Sequence, residues 1–123
     1  MCNNNCMADI LENILILQQN TNDPEMGCNK PFLGEITNIS ANTRPINLYS
    51  CCSNTLWTMP YDYNGTEGTS TTFRIENIND NCATFRILIN ENNTITATDN
   101  FFVINLDCVS CIKCLQDVLI TNL

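Results

Sequence analysis

Nine cysteines and no histidine in 123 residues constrain this chain more than any other feature of its sequence. The sulfurs belong to Cys2, Cys6, Cys28, Cys51, Cys52, Cys82, Cys108, Cys111 and Cys114. An odd number cannot close completely into internal bridges, so at least one sulfur is left to bond another chain or to stay a reactive thiol. The missing histidine removes the commonest general acid/base near neutral pH and the commonest imidazole metal ligand. Neither a glycine-rich phosphate loop nor a serine elbow is present. Carboxylates such as Asp62, Glu67 and Asp80 fall in loop-like stretches and read as solvated charges. The chain therefore reads as a non-enzyme, with no cofactor expected.

Charge narrows the partners. Thirteen acids against five bases give a net charge of −8, which repels phosphate backbones and anionic headgroups. No nucleic acid and no membrane are expected as partners. The apolar run Ile14 to Leu17 is far shorter than a bilayer span. The opening Met1-Cys2-Asn3-Asn4-Asn5-Cys6 carries no basic residue, so synthesis in a cytoplasm without a signal peptide is expected. Cytoplasmic thiols are normally kept reduced, which leaves two readings of so much sulfur: metal binding, or oxidation after synthesis.

The length suits one domain with a modest core, since a chain of this size buries roughly two thirds of its unfolded surface. Residues 1–6 read as a cysteine-bearing arm and residues 7–123 as a single β-rich domain. Met7, Ile10, Leu11, Ile14 and Leu17 share one helical stripe, which predicts a helix from Met7 to about Gln19. Turn formers and proline from Asn20 to Gly27 predict a loop. Beyond it the period changes to alternation. Strands are predicted at Phe32 to Ile36, Ile46 to Tyr49, Leu56 to Met59, Thr71 to Ile78, Cys82 to Ile89, Thr94 to Thr98 and Phe101 to Cys108. Short strands between Asn, Asp and Gly turns give a mainly β fold class: a single antiparallel sandwich-like domain with a short N-terminal helix and a cysteine-rich C-terminal segment.

A hairpin with a three-residue loop, Asn79-Asp80-Asn81, pairs Phe73 with Ile87 and Ile75 with Phe85 on one face. That register sets Arg74 opposite Arg86 on the other face, where like charges repel unless a carboxylate intervenes. Glu76 is one source of that carboxylate and a neighbouring subunit is the other. The second source makes Arg74 and Arg86 candidate subunit contacts.

Three groups of cysteines bear chemistry. Cys108, Cys111 and Cys114 have spacing seen in iron–sulfur and, more loosely, zinc ligation, with Cys82 or Cys28 as a fourth ligand. No second paired cysteine motif of zinc spacing accompanies them, so disulfides are preferred and no metal is assigned. The adjacent pair Cys51-Cys52 is awkward to join to itself, because neighbouring Cα atoms lie about 3.8 Å apart. Its two sulfurs should seek different partners. Cys2 and Cys6, on the arm, are placed to bond other molecules. Three glycosylation sequons, at Asn38, Asn64 and Asn92, are what chance gives in so asparagine- and threonine-rich a chain.

Several blocks together carry a resemblance: Gly27-Cys28 with Pro31-Phe32-Leu33-Gly34, Ala41-Asn42-Thr43-Arg44-Pro45, and Phe73-Arg74-Ile75-Glu76. Asp80-Asn81-Cys82-Ala83, Arg86-Ile87-Leu88, Ile104 to Cys108 and Cys114 to Val118 add to it. Across nearly its whole length the chain resembles the spore coat proteins of the CotY/CotZ/ExsY family. The resemblance implies a protein made in the mother cell that self-assembles into hexameric rings and ordered sheets of the spore crust or exosporium, locked by disulfides. Its implied partners are itself and other coat or exosporium proteins. Oxidation after mother-cell lysis would reconcile cytoplasmic synthesis with the cysteine content. The alternative from another class is a small metal- or redox-active protein using Cys108, Cys111 and Cys114.

Overall fold

The computed structural model describes residues 6–19, 41–51, 53–92 and 94–123. The predicted strand at Phe32 to Ile36 and the loop from Asn20 to Gly27 lie outside these residues, as do Cys2, Cys28 and Cys52.

Helix α1 (Cys6–Gln19) follows the predicted stripe. Ala8, Leu11, Ile14 and Leu17 are buried, with Met7, Ile10 and Leu15 partly so. Gln18 is buried as well, and its amide fixes the helix in place. Nε2 donates to the carbonyl of Ile75 (2.9 Å), and Oε1 accepts from the amide of Arg44 (3.1 Å). A polar side chain on an apolar helix face is tolerated because both ends of its amide are satisfied.

Among the described residues seven strands follow: β1 (Ile46–Ser50), β2 (Met59–Tyr63), β3 (Thr66–Ser70), β4 (Thr72–Asn79), β5 (Cys82–Glu91), β6 (Thr94–Asn105) and β7 (Val109–Cys114). All pairings are antiparallel, in a five-stranded sheet ordered β6-β5-β4-β1-β7 and a two-stranded ribbon of β2 and β3. The mainly β reading, with one short helix and a cysteine-rich C-terminal segment, is what the structure shows.

The main sheet cannot be flat. Its edge strands β6 and β7 are joined only by a 3-10 turn, Leu106–Cys108. Such a turn advances about 6 Å. Four strand spacings across a flat sheet would span about 19 Å. The sheet therefore curls until its edges approach at that end, with β1 meeting β4 at the single pair Ile46↔Phe73. Phe73, Phe85 and Phe102 fill the interior, with ring centroids 4.9–6.3 Å apart. The ribbon lies against β5 and β6 and adds Met59 and Tyr61 to this core, joined by Trp57 just ahead of it.

Several sequence expectations need correction. The hairpin loop has two residues, because Asn79 pairs with Cys82; the predicted Phe73↔Ile87 register is reached through a bulge between Ile75 and Asn77. Asp80 takes the positive φ (57°) that the tight turn requires. Asp62 and Glu67 are not in loops. They face each other on β2 and β3, across a turn in which Asn64 and Gly65 both adopt positive φ (53° and 79°). The two strands predicted around Thr94 and Phe101 are one strand, β6, whose register against β5 shifts between Arg86 and Leu88.

The C-terminal segment is clamped by a buried ion pair. Arg44 Nε and Nη2 donate to the two carboxylate oxygens of Asp117 at 2.7 and 2.9 Å, with side chains 1% and 2% exposed. Thr43 and Val118 exchange backbone hydrogen bonds alongside. Removing one member of such a pair strands a buried charge. Asp117→Ala is expected to lower the unfolding free energy by about 3–5 kcal/mol. Replacing both residues by apolar ones, as in Arg44→Met with Asp117→Leu, should recover most of that loss, as read by urea denaturation.

Candidate functional site

The backbone brings four exposed cysteines from three separate parts of the chain to the neighbourhood of the 3-10 turn. Cys82 opens β5 and pairs with Asn105 at the end of β6, just ahead of the turn. The preceding Asn81 accepts from the amide of Leu106 (2.8 Å) through its carbonyl. Its side chain donates to Asn105 (3.0 Å) and Asp107 (2.8 Å), which ties the hairpin tip to the turn. Cys108 closes the turn, and its carbonyl accepts from the amide of Cys51 (2.9 Å). Cys111 lies on β7 opposite Tyr49. Cys51, Cys82, Cys108 and Cys111 are all exposed, and Cys82, Cys108 and Cys111 carry free thiols.

The local reason for this exposure is strand alternation. The inward positions near the turn go to Ala83, Ile104, Leu106 and Val109, all buried, leaving their neighbours to face out. Cys114 is different: it is half-buried and disulfide-bonded. Of the other sequence-nominated sulfurs, Cys6 begins α1, while Cys2, Cys28 and Cys52 belong to the undescribed residues.

The ligand-like spacing of Cys108, Cys111 and Cys114 falls on a turn and an extended strand, not on a helical turn or loop that folds sulfurs together. Residues three apart on a strand point to opposite faces and lie about 10 Å from each other. Among the described residues no three Cys, Asp or Glu side chains converge as a metal site would require. The spacing thus reports strand placement, and the geometry gives the metal reading no support.

Arg74 and Arg86 stand directly opposite, as the apolar register demands. The intervening carboxylate comes from the same chain. Glu76 Oε2 accepts from Arg74 Nη1 (2.6 Å) and from Arg86 Nε (3.0 Å). Glu76 occupies the bulge between Ile75 and Asn77. Arg74 also donates to Thr43 Oγ1 (2.9 Å) and to the carbonyl of Asn42 (3.2 Å). Arg86 donates to the carbonyl of Thr98 (3.2 Å) and lies 4.6 Å from the ring centre of Phe101. Phe101 and Val103 themselves project outward from β6, 48% and 67% exposed, an apolar pair that the strand predictions did not single out.

A cleft of about 790 Å³ opens on the other edge strand. Tyr49, Asn54, Cys111, Lys113 and Gln116 line it, together with the Arg44–Asp117 pair. Cys111 and Lys113 are both exposed and, two apart on β7, share one face. No sequence pattern marks this cleft, because its walls come from two distant stretches of the chain, residues 44–54 and 111–117.

A family model described as "Spore coat protein Z" matches residues 2–100. The matched span runs through β5 and into β6; the 3-10 turn and β7, with Cys108, Cys111 and Cys114, follow it. No curated protein and no solved structure matches the chain.

Two outcomes follow from this geometry. In the folded protein without reductant, an alkylating reagent should modify Cys82, Cys108 and Cys111 readily and Cys114 only after reduction, as peptide mass mapping would read. Glu76→Gln should destabilise the fold by about 1–3 kcal/mol, because two partly buried cations lose their shared anion. A double-mutant cycle with Arg86→Met should show non-additivity.

Proposed function

The chain belongs to the spore coat protein Z family, and from that premise we propose that it is a self-assembling structural protein of the endospore surface whose exposed cysteines cross-link neighbouring copies. The observation that carries this reading is the outward display of thiols around the 3-10 turn. Cys82 and Cys111 ride on paired strands, and Cys51 and Cys108 are tied together by a backbone hydrogen bond at the turn, so these positions are fixed relative to the fold.

Noncovalent contact comes first in this reading. Copies meet through a repeated surface around a symmetry axis, building hexameric rings and then a sheet in the crust or exosporium. The outer strip of β5 and β6, where Arg86 lies beside exposed Phe101 and Val103, is one contact face; Arg74 supports it from β4. Contiguous exposed apolar surface of this kind favours burial against a partner. Other coat proteins dock on the same layer.

Disulfides follow. Two thiols lose two electrons and two protons to molecular oxygen, which becomes hydrogen peroxide, once the mother cell has lysed. A bond between subunits makes dissociation covalent, so the resilience of the layer becomes kinetic. Catalysis has no part in this role. No helix among the described residues is long and apolar enough to cross a membrane.

The test is to express the chain alone and to image it with and without reductant. Ordered sheets, together with a ladder on nonreducing gels, are expected. Replacing Cys51, Cys82, Cys108 and Cys111 by serine should leave sheets that form but dissolve in mild denaturant. Arg86→Glu should weaken the sheets. Protein that stays monomeric at high concentration under oxidation would overturn the reading.

A further inference from the structure

The ribbon of β2 and β3 carries an electrostatic problem that the other described residues leave unsolved. Asp62 and Glu67 are directly opposed across the ribbon, and both are exposed. Like charges in that position destabilise a pair of strands. Yet no lysine or arginine among the described residues lies within ion-pairing distance of either carboxylate, since the three ion pairs present use Asp117 and Glu76 as their anions.

The ribbon is nevertheless held rigidly. The amide of Asp62 donates to Asn100 Oδ1 (2.8 Å), and Asn100 Nδ2 donates back to the carbonyl of Asp62 (3.1 Å). Tyr63 Oη accepts from Asn122 Nδ2 (3.2 Å). Tyr61 packs over Gly68, where an added Cβ would fall only 2.7 Å from the tyrosine oxygen. Two carboxylates are thus presented on a stiff, outward-facing finger with a two-residue tip.

The cleft on β7 has the complementary feature. Lys113 is exposed, lines the cleft on β7 and takes part in none of the ion pairs among the described residues. The other cations described, Arg44, Arg74 and Arg86, are each bound to a carboxylate. A finger whose acids and a cleft whose base form no ion pair among the described residues, on one chain of net charge −8, are complementary between copies.

We propose that the β2–β3 ribbon of one copy seats in the β7 cleft of the next, with Asp62 and Glu67 against Lys113. This deepens the self-assembly reading and rests on it. The contact is heterologous, head to tail, so each copy offers one finger and one cleft, and repetition closes a ring or extends a row. It also brings the finger beside Cys111 on the cleft wall, so the noncovalent contact places a free thiol at the joint.

The test is a charge swap under reducing conditions, read by analytical ultracentrifugation and electron microscopy, with circular dichroism confirming that each variant is folded. Lys113→Glu alone, and Asp62→Lys with Glu67→Lys in a second protein, should each lose the assembled species, because finger and cleft then carry the same sign. Mixing the two proteins should restore assembly, since each finger now meets a cleft of opposite sign. Lys113→Gln should weaken assembly less than Lys113→Glu, and salt should weaken the wild-type contact. Wild-type protein that assembles while both charge variants do so equally well, or a mixture that stays dissociated, overturns the finger-in-cleft contact and leaves self-assembly standing. Wild-type protein that stays monomeric overturns both.

Discussion

One carboxylate, that of Glu76, is shared by two guanidinium groups that hydrophobic burial forces side by side. Phe73 and Ile75 must face Ile87 and Phe85 across β4 and β5, because all four side chains are buried in the same core. Strand alternation then leaves Arg74 no place but opposite Arg86. Apolar burial wins this contest: four large side chains each contribute roughly 1.5–3 kcal/mol on burial. The repulsion of two partly solvated cations is smaller and is screened. The bulge resolves the remainder by giving β4 an extra residue at the level of the arginines, and that residue is acidic.

From this point the rest of the domain is tied together. Arg74 reaches Thr43 and Asn42 ahead of β1, and Asn42 in turn bonds the backbone of Ile120 through both ends of its amide. Arg44, next in sequence, clamps Asp117. Arg86 reaches the carbonyl of Thr98 on β6, so both flanks of the hairpin are anchored by one ionic group. Among the described residues every buried side-chain nitrogen and oxygen has a partner. Such full satisfaction makes a polar network rigidifying instead of costly.

Rigidity matters for what the exposed residues do. In the proposed assembly, thiols that meet their counterparts on other copies, and a charged finger that enters a cleft, gain from being held in one orientation, because less conformational freedom is lost on association. The curled sheet supplies this by joining its two edges through three residues, which draws Cys51, Cys82 and Cys108 to one turn. A cysteine-rich chain is thereby converted into a block that displays exposed sulfurs at defined positions.

Much of this was legible in the sequence. The helical stripe, the strand alternation, the β4–β5 register and the opposed arginines all follow from local period and apolar burial, which act within a few residues of each other. The Asn64-Gly65 turn also carried its signal, since two positive φ angles in succession mark a tight hairpin; only the polar composition of the flanking strands hid it. The sequence could not determine that Cys108, Cys111 and Cys114 ride on a turn and a strand, since cysteine spacing alone fits a helix, a loop or a strand. Nor could it pair Arg44 with Asp117 or assemble the β7 cleft and the cluster of exposed thiols. Those features join residues far apart along the chain, and only the curl of the sheet, imposed by closing a shared core with a three-residue connection, decides which of them meet.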